Sequence, residues 1–221
     1  MTLKLFIFDC DGTLVDSQHT IVEGMDHAFG VHDRKRPTAD ESRSIIGLSL
    51  PEAIAKLAPD LSAADNAAIV ESYKDFVIAK RASGEAIELL YEGAKEVVEA
   101  LAATENVLLG IATGKAYRGV LHLFDCYGWH DLFTTVQTAD RAPSKPNPGM
   151  ILQAMEQTGV APENTYMIGD TSYDMEMAVN AGVTAIGVNW GYHAEAVMRE
   201  AGAHHIVDDY PALHTLLARF L

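Results

Sequence analysis

Cysteine is scarce: the 221 residues hold two, Cys10 and Cys126. Two thiols make no disulfide framework, and no CxxC pair is present to hold a metal. Long apolar runs are missing as well. No stretch approaches the ~20 residues of a bilayer-spanning helix. The apolar run near the start gives way after a few residues to Asp9, Asp11 and Gly12, too soon for a secretory signal peptide. Positive charge is in deficit: 16 Lys and Arg against 31 Asp and Glu leave a formal net charge of −15. A field of that sign repels nucleic acid and anionic membrane surfaces. Low-complexity stretches and fixed-period repeats are absent too. These absences lead us to expect a cytoplasmic protein, monomer or homodimer, with no nucleic-acid and no membrane partner.

What is present is an ordinary globular composition, 48% hydrophobic and 21% charged, in a chain long enough for one large domain with a smaller insert. Short apolar runs recur at residues 3–8, 107–112, 134–137, 166–168, 184–188 and 205–207. Between them lie helical patterns: Ala94, Val97, Val98 and Leu101 share a face, as do Tyr117, Val120, Leu121 and Phe124. Ile151, Leu152 and Met155 form another such set, and Met175, Ala178 and Val179 a fourth. Strands alternating with helices predict an α/β fold, a parallel sheet covered on both sides. Residues 15–89 break the alternation, with helical patterns and no good strand, and predict a helical insert that returns near residues 83–90. The expected division is a core of residues 1–14 and 90–221 and a helical domain of residues 15–89.

In open parallel sheets, ligands bind beyond the carboxyl ends of the strands. Four predicted segments there carry chemistry: Asp9-Cys10-Asp11-Gly12-Thr13, Thr113-Gly114-Lys115, Lys145-Pro146-Asn147-Pro148 and Gly169-Asp170-Thr171-Ser172-Tyr173-Asp174. Gathered on one edge, Asp9, Asp11, Asp170 and Asp174 would raise one another's pKa values unless a divalent cation compensated them. Magnesium suits an all-oxygen site, and manganese accepts the same ligands. Lys145 adds the fixed positive charge that an anionic substrate needs in so acidic a protein. Asp9, rigidly placed after a strand, suits a nucleophile. Asp11 can serve as general acid and base. Gly12 permits close backbone approach to a phosphate. The Thr113 hydroxyl and the Gly114 N–H, read as lying at a helix start, can hold phosphate oxygens. Asp170 alone also reads as a helix N-cap.

The motifs DCDGTLVDS, ATGK, SKPNP and GDTSYDM resemble, in order and spacing, the four successive motifs of the haloacid dehalogenase superfamily, over nearly the whole chain. The helical insert resembles that superfamily's helical cap, and DGTLVDS resembles its phosphoglycolate phosphatase-like branch. The resemblance implies a Rossmann-like core. It implies Asp9 as nucleophile and magnesium ligand, and Asp11 as acid/base with its carbonyl on the metal. Thr113 and Lys145 would hold phosphate, and Asp170 would bind the metal. Asp174 would bind it too, directly or through water, or would position Lys145. An aspartate at position 11 favours phosphate-ester chemistry over dehalogenation. Residues 43–51 resemble the substrate-recognition loop of related caps, with Arg43 and Ser49 as the candidates.

The expectation is a magnesium-dependent phosphatase acting on a small phosphorylated metabolite, such as 2-phosphoglycolate. Two alternatives stand beside it: a sugar phosphomutase of the same superfamily, and a phosphate-binding module without turnover. The exchange of Asp9 for Asn separates the enzymes from the module.

Overall fold

The computed structural model describes residues 2–85 and 88–221. The chain opens with β1 (Lys4–Phe8) and a two-residue strand β2 (Val15–Asp16), then turns into four helices: α1 (Gln18–Val31), α2 (Ala39–Arg43), α3 (Leu50–Leu57) and α4 (Ala63–Ala82). It returns through β3 (Leu89–Leu90) and alternates from there: α5 (Ala94–Ala102), β4 (Val107–Thr113), α6 (Tyr117–Tyr127), β5 (Phe133–Thr138), α7 (Gly149–Thr158), β6 (Thr165–Gly169), α8 (Ser172–Ala181), β7 (Thr184–Val188), α9 (Glu195–Glu200), β8 (His205–Val207) and α10 (Tyr210–Leu217). Six strands form one sheet in the order β5-β4-β1-β6-β7-β8, with parallel pairing throughout.

β1 is the central strand because its residues suit burial on both faces. Phe6 and Phe8 point into one core with Leu109, Ile111 and Ile168. Leu5 and Ile7 point into the other with Met167, Met175 and Ala185. That is the period-two alternation of a strand. All four side chains are fully buried, and each such burial contributes about 1.5–3 kcal/mol. The helices between β2 and β3 carry a core of their own, in which Met25 and Phe29 of α1 pack with Ile54 of α3 and Ile69 and Val70 of α4.

Two expectations about elements need correction. The segment read as free of strands begins and ends in one: Val15 pairs with Leu90 and Asp16 with Leu89 in an antiparallel ribbon. Of the return segment 83–90, residues 86 and 87 lie outside the described residues. Two helix faces are also rotated. α7 buries Met150, Ile151 and Ala154 and leaves Leu152 47% exposed, while α8 buries Met175, Met177 and Ala178 and leaves Val179 47% exposed. Both sequences hold enough apolar residues to define more than one stripe, and contact with the sheet selects among them. Among the described residues no helix is long and apolar enough to cross a membrane.

Candidate active site

Topology brings the motifs together. β4 and β6 flank β1 on opposite sides, so the residues after these three strands meet at one edge. Asp9 follows Phe8 directly, and its backbone N–H extends the ladder to the Ile168 carbonyl at 2.9 Å. The next residues form a tight loop around the Cys10 carbonyl, which accepts from Thr13, Leu14 and Val15. The loop is clamped from behind: the Thr13 carbonyl accepts from Tyr210 Oη at 2.7 Å and Trp190 Nε1 at 3.0 Å. Gly12 has φ +86°, and a Cβ there would stand 2.2 Å from Asp170 Oδ2. Only glycine lets this loop pass so close to the carboxylate.

Asp9, Asp170 and Asp174 converge, one oxygen of each lying within 4.8 Å of the others. All three are at most 1% exposed. Asp170 Oδ1 accepts from Thr13 Oγ1 at 3.0 Å, and its Oδ2 accepts from the Tyr192 N–H at 2.9 Å. Burial, then Asp174 and Asp9, push the Asp170 carboxyl well above the usual range. Burial likewise raises Asp9, against the pull of Lys145. Asp9 Oδ1 accepts from the Cys10 N–H at 2.6 Å. Its buried Oδ2 has no aligned hydrogen bond, although Lys145 Nζ stands 2.8 Å away. An all-oxygen donor set, two carboxyls with raised affinity for protons and one buried oxygen without an aligned donor fit a hard divalent cation such as Mg2+.

Lys145 comes from the loop after β5 and is fully buried. It spans Asp9 and Asp174, donating to Asp174 Oδ1 at 2.6 Å. Those two carboxylates outweigh its burial and hold the ammonium charged. Asp174 Oδ2 accepts from Thr171 Oγ1 at 2.7 Å and from the Thr171 N–H at 3.1 Å. Thr171, not Asp170, is therefore the N-cap of α8, in a capping box with Asp174. Thr113 ends β4 with no exposure. Gly114 is next to it but not at a helix start, since α6 begins at Tyr117 with Ala116 as N-cap.

Asp11 lies apart from the carboxylate trio. Its Oδ1 accepts from Ser17 Oγ and Lys115 Nζ, both at 2.7 Å. Burial alone would raise its pKa, but Lys115 and Ser17 outweigh burial and hold it below the usual carboxylate range. Lys115 also faces Glu88 at 3.6 Å, and Glu88 pairs with Arg81 at 2.5 Å. Sequence reasoning missed this chain of charges. Lys115 ends the motif ATGK, but nothing in the spacing pairs it with Asp11 or with Glu88.

A cavity of about 410 Å³ lies between the strand ends and the helices, with Asp9, Asp11, Thr113 and Gly114 in its wall. Ser49, the N-cap of α3, also lines it, and its N–H donates to Ser144 Oγ at 2.8 Å. Arg43 is not among the lining residues. It ends α2, pairs with Asp40 at 2.5 Å and donates to Gln18 at 3.1 Å. The two expected recognition residues are thus placed differently, Ser49 on the cavity and Arg43 at the end of α2. Gly114 sits under the helical layer: a Cβ there would meet the Leu48 carbonyl oxygen at 2.5 Å and that of Gly47 at 2.6 Å.

The family model for haloacid dehalogenase-like hydrolases matches residues 6–188. The chain belongs to that family. It is 36% identical to the protein named probable phosphatase IndB from Dickeya dadantii, over 96% of this chain and 94% of the relative. It is 29% identical to a phosphoglycolate phosphatase of Agrobacterium fabrum, over 95% of this chain and 90% of that one. A solved haloacid dehalogenase-like family hydrolase from Streptococcus pneumoniae superposes with a TM-score of 0.81 at 25% identity, covering 99% of both chains. This haloacid dehalogenase-like chain is a hydrolase of the phosphatase kind.

Proposed function

We propose that this protein is a magnesium-dependent phosphatase that hydrolyses a small phosphate monoester through an aspartyl-phosphate on Asp9. The observation that carries the reading is Asp9 itself: a rigid carboxylate beyond the central strand, in the cavity wall and 2.8 Å from a buried ammonium. An Asp9 oxygen attacks phosphorus, the ester P–O bond breaks, and the electron pair leaves with the ester oxygen. Asp11 gives that oxygen a proton and then takes one from the water that attacks the aspartyl-phosphate. Paired with Lys115 and Ser17, Asp11 is in its ionised form, ready for the second role; the first requires it to turn from them with a proton. Lys145, Thr113 and the Gly114 N–H bind the phosphoryl oxygens, while Gly12, whose N–H donates to the Val15 carbonyl at 2.9 Å, contributes only the room for close approach. Asp9, Asp170 and Asp174, with the Asp11 carbonyl, would hold the magnesium, which when bound offsets phosphoryl charge.

Residues 15–89 act as a cap over a core of residues 1–14 and 90–221, excluding water from the site. Ser49 is the recognition-loop residue that faces substrate. The A. fabrum relative's name makes 2-phosphoglycolate the first ester to test. The mutase alternative would call for a histidine from the helical layer at the site, and His19, which follows the first motif, is exposed and does not line the cavity. The test is phosphate release from a panel of small esters with and without magnesium. Magnesium-dependent release that disappears in Asp9→Asn supports the reading, and equal release by Asp9→Asn overturns it.

A further inference from the structure

The cavity is more informative about the leaving group than about the phosphate. Its floor is polar, with Asp9, Asp11 and Thr113, but the wall supplied by the helical layer is mostly apolar, with Thr20, Ser49, Lys74 and Arg81 as its polar members. Ile21, Met25, Ile45, Leu48, Val70 and Val77 face the space, and the Tyr73 ring joins them. The volume, about 410 Å³, would hold roughly a dozen waters at ~30 Å³ each. That is far more room than a two-carbon acid fills, and it matches the lower range of pockets that enclose an apolar ligand.

The cations tell the same story. A leaving group that bears a carboxylate needs a free positive charge deep in the cavity. Lys115 is shared between Asp11 at 2.7 Å and Glu88 at 3.6 Å, and Glu88 still faces it when Asp11 turns to the leaving oxygen. Arg81 is held by Glu88 at 2.5 Å. Among the described residues the other cations lining the cavity away from the floor are Lys74 and Arg118. Both are exposed, and Lys74 pairs with Glu71 at 2.7 Å.

We infer that the substrate is the phosphate monoester of a predominantly apolar alcohol, whose hydrocarbon body lies against the α1, α3 and α4 side chains while its phosphate meets Asp9. This rests on the phosphatase reading above and narrows it, away from 2-phosphoglycolate.

A series of n-alkyl phosphates, methyl to octyl, isolates the effect, because the leaving oxygen's basicity scarcely changes along it. The expected kcat/KM rises about two- to fourfold per methylene until the cavity is filled, and ethyl phosphate outperforms 2-phosphoglycolate. Val77→Asp, and independently Ile78→Asp at a position already 40% exposed, flatten the rise. A flat or falling series, 2-phosphoglycolate as the better substrate, or an undiminished rise in both variants overturns the inference while leaving the phosphatase reading intact. No release from any ester, methyl phosphate included, nor from the acyl phosphate acetyl phosphate, overturns both.

Discussion

Asp9 and Asp11 are two residues apart in sequence and differ in environment. Asp9 is surrounded by other carboxylates and one lysine; Asp11 accepts from a hydroxyl and from a lysine that it shares with Glu88. In the metal-free site the split runs against their proposed roles, since Asp9 is raised and Asp11 lowered; the proposed magnesium would ionise Asp9, and Asp11 would have to leave Lys115 and Ser17 before donating a proton. Asp11→Asn is expected to lower kcat about 10²–10⁴-fold, the usual worth of a positioned acid/base. It also slows hydrolysis of the aspartyl-phosphate, so rapid-quench kinetics should show a burst followed by slow turnover. Loss of rate with no burst would assign Asp11 to the first step alone. Gly12→Ala places a methyl in the space of the Asp170 carboxylate at a positive φ. Strain of this kind costs about 1–3 kcal/mol, and the same change displaces a proposed metal ligand. Thermal melts with and without magnesium should therefore show a lower Tm and a smaller magnesium response than the parent.

At the scale of elements, the helical layer meets the catalytic edge through the loop between α2 and α3. The Leu48 and Gly47 carbonyls rest against Gly114, and Tyr173 Oη donates to the Ser44 carbonyl at 2.9 Å while Lys56 donates to Tyr173 Oη at 2.6 Å. Gly114→Ala holds that loop off the site. The expected result is a fall in kcat/KM of up to about 10²-fold, as for small misplacements of reacting groups, with Tm nearly unchanged. An unaltered kcat/KM would show that this contact does not matter for turnover.

The six sheet strands and the four site motifs were legible in the sequence, because buried parallel strands read as apolar runs and their ends as clustered polar residues. The ribbon of β2 and β3 was not. Two residues per strand leave no periodicity, and the pairing of Val15 with Leu90 is set by where the insert must leave and re-enter. Nor were the partners of Asp11 legible beyond Ser17's presence in the first motif, since Lys115 reaches it only through the fold. The partners of Arg43 were hidden for a related reason: Asp40 and Gln18 hold it, and loop spacing does not show that competition.

For the molecule as a whole, a net charge of −15 sits around a site proposed to bind phosphate, and a buried carboxylate cluster opposes folding until it is compensated. Magnesium is expected to raise stability by about 2.7 kcal/mol at a hundredfold excess over Kd, or roughly 5–10 °C in Tm. An unchanged Tm would mean that the cluster does not bind the ion. The pH dependence has a definite sign. Folded Asp9 takes up its proton below about 7, against 3.8 for the free carboxyl, and Asp170 is raised as well. Between those values the folded state binds more protons than the unfolded one, so metal-free stability falls as pH rises through the window. Magnesium must displace those protons, so its increment in Tm should grow from about pH 5 to about pH 8. Melts across that range check both slopes.

The central claim is a covalent phosphate on Asp9. Acid quench during steady-state turnover of a phosphate ester with magnesium, followed by peptide mass spectrometry, should find a phosphoryl group on the peptide that holds Asp9, and none in Asp9→Asn. An unmodified Asp9 peptide from an enzyme that is releasing phosphate, with slow-hydrolysis Asp11→Asn giving the same blank, would contradict it.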